Sequence, residues 1–226
     1  MPEQLSFDLP GRTARAREDF FVAPSNALAV AMIDLSDSWP SGKMVLTGEA
    51  GAGKTHLAHV WADRTGARIL SARDLRPDDV PDLATGPLVV EDVPLIARDD
   101  PAQQALFHLH NLTLAHGHRL LMTGRGPARH WNLSLPDLQS RVEGAQSAAL
   151  EAPCDRLLSA LLAKLFADRQ ITPHPAVIPY VVNRMDRSFA AAQKLVDDLD
   201  RASLAQGRSV TRDLAARYLG GDPGKA

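Results

Sequence analysis

The sequence predicts an α/β fold with a parallel sheet, followed by a smaller all-helical domain. Residues 48–55 read GEAGAGKT, a glycine-rich turn placed between an apolar run and a helical pattern. Up to residue 150, short apolar runs alternate with helical patterns, which is typical of a parallel sheet covered on both faces. After residue 153 only helical patterns follow. We therefore expect a five-stranded sheet flanked by helices over residues 20–151 and a helical lid over residues 152–226, after a flexible tail at residues 1–19.

The order of elements follows from the local patterns. Ser25 is a candidate N-cap for a helix over residues 26–35. Strands are predicted at residues 44–47, 68–70, 87–92, 119–123 and 147–150. Helices are predicted at residues 54–64, 101–115, 155–169 and 188–206, with another around residues 177–185 and a last one capped by Thr211 and running to Leu219.

Composition limits the class of protein. The chain has 226 residues, a net charge of -2 and a single cysteine, Cys154. The charge does not indicate a strongly basic nucleic-acid surface, and one cysteine excludes an intrachain disulfide. No apolar run approaches the roughly 20 residues that span a bilayer. We expect a soluble cytoplasmic protein without direct sequence-specific DNA binding or membrane association.

The glycine-rich turn fits the P-loop pattern G-x-x-x-x-G-K-[ST] at every fixed position. Glycines allow successive backbone N–H groups to point at phosphate oxygens, the lysine adds a positive charge, and the threonine hydroxyl can bind Mg²⁺. The alternative is a glycine-rich turn with a chance lysine. The candidate nucleotide contacts are Gly48, Gly51, Ala52, Gly53, Lys54, Thr55 and His56.

Two carboxylates end the third predicted strand. Residues 88–92 read LVVED, so Glu91 and Asp92 follow an apolar run about 40 residues after the P-loop. Such carboxylates can hold Mg²⁺ beside a nucleotide and polarise water. The alternative is a buried strand whose end happens to be acidic. The candidate magnesium ligands are Thr55 and Glu91.

Four histidines, His108, His110, His116 and His118, invite a metal-site interpretation. Positions two apart on a helix face different sides, so His108 and His110 are not expected to converge. Cys154 lacks catalytic histidine spacing and is expected to pack.

Three segments resemble bacterial AAA+ replication initiators of the DnaA type. Residues 20–26 (FFVAPSN) resemble the box before the P-loop and include the candidate nucleotide contacts Val22 and Pro24. Residues 104–125 resemble the helix and sensor strand, and residues 135–142 (LPDLQSRV) resemble the box with the arginine finger. The resemblance runs from Phe20 to Leu219 and is closest to the Hda-type homologues, which lack the initiator's DNA-binding domain. It implies an AAA+ module with ATP or ADP and Mg²⁺ as cofactors.

The tail carries a further resemblance. Residues 4–9 (QLSFDL) are similar to the short peptide by which Hda and other proteins bind the β subunit of the sliding clamp. An extended peptide can place Leu5, Phe7 and Leu9 in apolar pockets while Gln4 makes polar contacts. A chance match of six residues is the alternative.

The resemblance also implies roles for three arginine or sensor positions. Arg141 matches the arginine finger that reaches the nucleotide of an adjacent subunit, and Arg187 matches the lid arginine that contacts the nucleotide in cis. An ordinary surface arginine and a helix-start ion pair are the respective alternatives. Thr123 lies near the sensor I position, with Arg125 and Arg129 close in sequence. The family's magnesium-binding aspartate is replaced by Glu91, which puts efficient hydrolysis by this chain in doubt.

The resemblance implies a clamp-docked negative regulator of replication initiation that stimulates hydrolysis of ATP bound to DnaA, with Arg141 acting in trans and weak hydrolysis of its own. Its partners would be the sliding clamp, DnaA and, transiently, a second copy or oligomer. Two alternatives remain open: a stand-alone AAA+ ATPase or loader that remodels another partner, and a non-catalytic clamp adaptor switched by nucleotide. The active form is expected to hold ADP.

Overall fold

A computed structural model describes residues 22–206 and 208–219 of the chain. Its sheet has five parallel strands in the order β2-β3-β4-β1-β5. The strands are β1 (Lys43–Gly48), β2 (Arg68–Ser71), β3 (Leu88–Glu91), β4 (Leu120–Gly124) and β5 (Gln146–Leu150). In register, Val45 of β1 lies beside Met122 of β4 and Ser147 of β5. The strand that precedes the glycine-rich turn is therefore an interior strand.

Helices connect the strands, and the chain after the last strand is helical. They are α1 (Ala27–Asp34), α2 (Lys54–Thr65), α3 (Val80–Leu83), α4 (Asp100–Ala115), α5 (Pro136–Glu143), α6 (Asp155–Asp168), α7 (Val177–Val182), α8 (Phe189–Gln206) and α9 (Arg212–Leu219). Among the described residues, none of these helices is long and apolar enough to cross a membrane.

The interior strands β1, β3 and β4 are buried on both faces of the sheet. Successive side chains of a strand point to opposite sides, so each of these strands contributes to two apolar clusters. On β1, Val45 packs in one apolar cluster with α4 and α5, whereas Met44 and Leu46 pack in a second cluster with α1 and α2. On β3, Val90 and Val89 are divided between the same two clusters. Near-continuous apolar strands are what this two-sided burial requires.

Helices α6 to α9 have an apolar core of their own. Its buried members include Leu158, Phe166, Val181, Val196 and Leu214, and every member lies between residues 158 and 219. The predicted fold class, a five-stranded parallel sheet flanked by helices and followed by a small all-helical unit, is confirmed.

Two predicted helix caps had different outcomes. Thr211 caps α9 as predicted, because its Oγ1 accepts a hydrogen bond from the Leu214 N–H at 3.3 Å. Ser25 does not cap α1: the residue before the helix is Asn26, and the buried Ser25 Oγ has no hydrogen-bond partner among the described residues. The Asn26 Oδ1 accepts from the Ala23 N–H at 2.8 Å, and this bond fixes the chain entering the helix.

Candidate nucleotide-binding site

The glycine-rich turn lies at the carboxyl end of β1, where open parallel sheets bind ligands. Gly48 ends the strand and Lys54 begins α2. The Lys54 ammonium donates hydrogen bonds to the backbone carbonyls of Gly48 at 2.7 Å and Glu49 at 2.9 Å. The loop therefore curls around its own lysine, and the first N–H groups of α2 face the same side. Thr55 is exposed beside it, His56 is half-buried and Ala52 is buried.

Charges of both signs surround this lysine. Burial lowers the pKa of Lys54, while the carboxylates of Asp92 and Glu49 act to raise it. Arg125, which follows β4, acts to lower it and donates from Nε to the Glu49 Oε2 at 2.6 Å. Lys54, Glu49, Arg125 and Asp92 are thus close enough to influence one another, although they come from three different strand ends.

The two carboxylates predicted for the metal lie at the end of β3, separated from β1 by the intervening strand β4. Two strand spacings put them about 10 Å from the P-loop strand. Asp92 has a left-handed backbone, with φ of 55°, and its N–H donates to the Thr123 Oγ1 at 3.1 Å. Thr123 is buried in β4, so it ties the carboxylate turn to the strand beside the P-loop.

The donor set fits a magnesium ion. The Glu91 Oε1 is buried and has no hydrogen-bond partner among the described residues. A buried carboxylate oxygen without a partner is costly, and a cation or its bound water would satisfy it. Together with the Thr55 hydroxyl, Glu91 offers the oxygen ligands that Mg²⁺ prefers.

The start of α8 packs directly on the glycine-rich turn. The Phe189 N–H donates to the Gly51 carbonyl at 2.9 Å. Gly51 has φ of 74°, and a Cβ placed on it would lie 2.3 Å from the Ser188 Cβ. The Phe189 ring lies 3.2 Å from the Cβ position of Gly53, whose φ is 101°. These glycines therefore permit close approach of the helical unit as well as the turn itself.

Arg187 directly precedes Ser188, and its guanidinium contacts the start of α6 and the segment before it. Its guanidinium forms an ion pair with Asp155 at 2.5 Å and donates to the Pro153 carbonyl at 3.3 Å. The arginine thus binds the segment that links β5 to α6. This is the ion-pair alternative, although its partner is Asp155 and not the neighbouring Asp186.

The box before α1 reaches the same edge of the sheet. The Glu151 N–H, just after β5, donates to the Ser25 carbonyl at 3.1 Å. Val22 is 55% exposed and Pro24 is exposed, so both candidate contacts lie open near the carboxyl ends of the strands. The candidate clamp-binding residues Gln4, Leu5, Phe7 and Leu9 lie outside the described residues.

Arg141 lies away from the glycine-rich turn, near the amino end of β1. It lies in the last turn of α5, and its guanidinium is 5.1 Å from the centre of the Phe107 ring of α4. Its carbonyl accepts a hydrogen bond from the Lys43 Nζ at 2.9 Å. Lys43 begins β1 and Gly48 ends it, so about 16 Å of strand separates the Arg141 anchor from the P-loop. Arg141 is exposed and does not join the nucleotide site of its own chain.

The residues around the Arg141 backbone were not predicted from the sequence to have a role. Lys43, only 8% exposed, also contacts the Nε2 of the buried His110 at 3.2 Å. Burial lowers the pKa of His110 to about 4, and the Lys43 and Arg141 charges act in the same direction against its bond to Asn111. As predicted, His108 and His110 face different sides, since His108 is exposed. A lysine at the start of an apolar strand was the available signal.

The fold is similar to solved AAA+ structures. Domain III of the Thermotoga maritima replication initiation protein DnaA superposes with a TM-score of 0.80 at 18% identity, covering 93% of this chain and 97% of that one. DnaA from Aquifex aeolicus, bound to AMPPCP, gives 0.70 at 16% identity, with coverage of 89% and 67%. The chain has a DnaA-like AAA+ fold.

A similar fold also occurs in a branch migration motor. The Holliday junction branch migration motor RuvB of Thermotoga maritima gives a TM-score of 0.64 at 16% identity, with coverage of 85% and 65%. The chain spans 97% of the domain III structure but about two thirds of the DnaA chain from Aquifex aeolicus and of the RuvB chain. No protein-family model matches the sequence.

Proposed function

We propose that this protein binds ADP or ATP with Mg²⁺ and supplies Arg141 in trans to stimulate hydrolysis of ATP bound to a DnaA-type initiator, while docked on the sliding clamp. The observation that carries the proposal is the position of Arg141. Its guanidinium is exposed, rests on an aromatic ring and lies at the opposite end of β1 from the P-loop. A charged group so placed is available to a nucleotide on another molecule and not to its own.

Nucleotide binding rests on the geometry around Lys54. The lysine lies inside the curl of the loop at the start of α2, and the carboxylates of Asp92 and Glu91, at the end of β3, act to raise its pKa. Phosphates would replace the loop carbonyls as partners of the ammonium, and the backbone N–H groups would bind the remaining oxygens. Thr55 and Glu91 would hold Mg²⁺, which would neutralise part of the phosphate charge.

The contact between α8 and the P-loop supports a switch that responds to nucleotide. Gly51, Gly53, Ser188 and Phe189 meet where phosphates would bind, so occupancy of the loop and position of the helical unit are coupled. We propose that residues 152–226 act as the lid of residues 20–151. Arg187, now paired with Asp155, would reach a nucleotide by exchanging this exposed partner at small cost.

The test combines clamp on DNA, ATP-loaded initiator and this protein, with ADP as the measured product. Stimulation by the native chain is expected, and Arg141→Ala should remove nearly all of it, since arginine fingers contribute roughly 10³- to 10⁵-fold in rate. Arg141→Lys keeps the charge and loses the planar fork, so it should restore little. Arg201→Ala, an exposed arginine of α8, is the matched control. Full stimulation by Arg141→Ala would contradict the mechanism.

The tail supplies the localisation step. Deleting residues 1–9 should abolish clamp binding and reduce stimulation on clamp-loaded DNA, with a smaller effect when protein concentration is raised. Substituting Leu5 and Phe7 together by alanine is the finer version of the same test. Unchanged clamp affinity would remove the clamp from the proposal and leave the arginine mechanism in place.

A second candidate function is a stand-alone AAA+ ATPase. The buried Glu91 Oε1, which has no partner in the described part of the chain, and the bond from Asp92 to Thr123 favour it, because they prepare a metal site for chemistry in cis. Turnover by the isolated chain, lost in Glu91→Gln and independent of clamp and initiator, would support this candidate. Turnover close to background would favour the regulatory function.

A further inference from the structure

A buried lysine without a carboxylate partner lies directly beneath Arg141. Lys43 is 8% exposed, and its Nζ contacts the Arg141 carbonyl at 2.9 Å and the His110 Nε2 at 3.2 Å. Within the described residues no carboxylate forms an ion pair with it, and the nearby Arg141 charge opposes its own. Burying an ammonium is unfavourable unless its protons are well bonded. A lysine ammonium at the buried start of a strand therefore needs an explanation.

The end of α5 provides one. The last carbonyls of a helix have no partner within the helix. The Gly144 N–H still bonds to the Ser140 carbonyl, as in a helix. The Ala145 N–H, which would bond to the Arg141 carbonyl if the helix continued, bonds to the Val142 carbonyl. The Arg141 carbonyl instead accepts a hydrogen bond from the Lys43 ammonium. A cation at the carboxyl end of a helix is also favoured by the helix dipole. Lys43 therefore caps α5 and ties it to β1.

The side chain of Arg141 is held from the same direction. Its guanidinium lies 5.1 Å from the centre of the Phe107 ring, and Phe107 precedes His110 by one turn of α4. Both the backbone and the charged end of Arg141 are thus fixed to β1 and α4. Arginine has many rotamers, and each freedom removed before binding lowers the entropy cost of placing the guanidinium.

We propose that Lys43 is a positioning residue for Arg141, holding the last turn of α5 so that the guanidinium points from the Phe107 ring toward a phosphate of an adjacent nucleotide. The inference rests on the proposed function for its consequence in trans, but the anchoring of α5 is testable without it. Lys43 also places a second positive charge behind the guanidinium, and His110 serves as its acceptor.

The experiment compares Lys43→Met with Val196→Ala, a control that removes packing from the core of α6 to α9. Hydrogen exchange of the α5 amides should be roughly tenfold faster in Lys43→Met and unchanged in the control. In the stimulation assay, kcat of the partner should fall by roughly 10- to 100-fold, while the half-saturating concentration of this protein stays within about twofold. Lost stability alone would affect both variants alike.

A double variant separates positioning from general damage. In the Arg141→Ala background, Lys43→Met should cause no further loss of stimulation, because there is no guanidinium left to place. Where Lys43→Met folds poorly, Lys43→Arg keeps the charge and a donor at a different length, and should fold and lower kcat.

The failures are distinguishable. No stimulation by the native chain, with fast α5 exchange in Lys43→Met, would overturn the proposed function and keep Lys43 as the anchor of α5. Normal stimulation by a Lys43→Met variant with native α5 exchange would overturn the positioning role and leave the proposed function standing.

Discussion

The two ends of the sheet differ in how they treat charge. At the carboxyl end, Lys54, Arg125, Glu49 and Asp92 form a mixed cluster in which both signs are present and the Arg125–Glu49 pair is largely exposed. At the amino end, the ammonium of Lys43 is buried against a neutral histidine and a carbonyl, and among the described residues no carboxylate forms an ion pair with it. At the carboxyl end, the charged side chains can exchange partners when an anion binds. At the amino end, the buried contacts of Lys43 are expected to persist.

We infer from this difference that the two ends of β1 have different roles. One strand carries the lysine that would bind a nucleotide at its end and the lysine that anchors Arg141 at its start. Because the strand is buried and paired on both sides, the two sites keep a fixed separation. A change at one end should therefore leave the other nearly intact, and the following predictions test that independence.

The largest expected effect is a clean separation of nucleotide binding from stimulation. Lys54→Ala should weaken binding of ATP and ADP by roughly 10²- to 10³-fold, since it removes a charge-assisted bond to phosphate from a low-dielectric site. Arg141→Ala should leave this affinity unchanged within about twofold. Fluorescent-nucleotide titration measures both. Lys194→Ala, an exposed lysine of α8, is the control, and a large loss in Arg141→Ala would break the comparison.

The sequence predicted the carboxyl end well because its signals are local. Residues 48–55 are contiguous, and Glu91 and Asp92 end an apolar run, so strand order alone brings them to one edge. The amino end depends on contacts between Lys43 and residues 67 and 98 positions away. The hydrophobic periodicity of a short segment carries no information on contacts between residues so far apart in the sequence. Lysine is also among the residues that are almost never fully buried unless paired, so its sequence position did not predict burial.

The second prediction addresses the buried end through pH. Burial lowers the pKa of His110 to about 4, so the unfolded state binds more protons between pH 6.5 and 4. The stability contributed by neutral His110 is complete above pH 6.5 and is lost as pH falls toward 4. His110→Gln keeps an acceptor for Lys43 and cannot protonate. The native chain should lose up to about 3 kcal/mol of unfolding free energy relative to this variant over that interval.

Denaturant unfolding at closely spaced pH values measures this difference. His108→Gln, the exposed neighbour, should show no such pH-dependent divergence. Parallel stability curves for the native chain and His110→Gln would indicate that the ring is solvated, and the contrast between the two ends of the sheet would disappear.

The third prediction concerns the contact of α8 with the P-loop. Gly51→Ala should cost about 2 kcal/mol, partly from its left-handed backbone and partly from the clash with Ser188. Ser188→Gly should recover the clash portion and leave the backbone portion. A double-mutant cycle on thermal or denaturant stability would yield a coupling of about 1 kcal/mol. A coupling of zero would mean that the helical unit moves off the loop at no cost.

The sequence could not foresee that contact. It predicted both the glycine-rich turn and the helix at residues 188–206, and each prediction is confirmed. How a helix docks on a loop depends on interdomain geometry, which neither pattern contains. The resemblance directed attention to Arg187, whereas the groups that touch the P-loop are its neighbours Ser188 and Phe189.

The smallest expected effect tests whether the exposed pair at the carboxyl end is exchangeable. Arg125 and Glu49 are 70% and 64% exposed, so Arg125→Ala should change stability by less than about 1 kcal/mol. Nucleotide affinity should respond differently to the two partners. Glu49→Gln frees Arg125 and removes a negative charge near the phosphates, so affinity should rise by roughly two- to fivefold, more at low salt. Arg125→Ala should lower it by a similar factor. If both variants lower affinity equally, the pair acts as a fixed brace of the loop, and the two ends of the sheet are more alike than their exposure suggests.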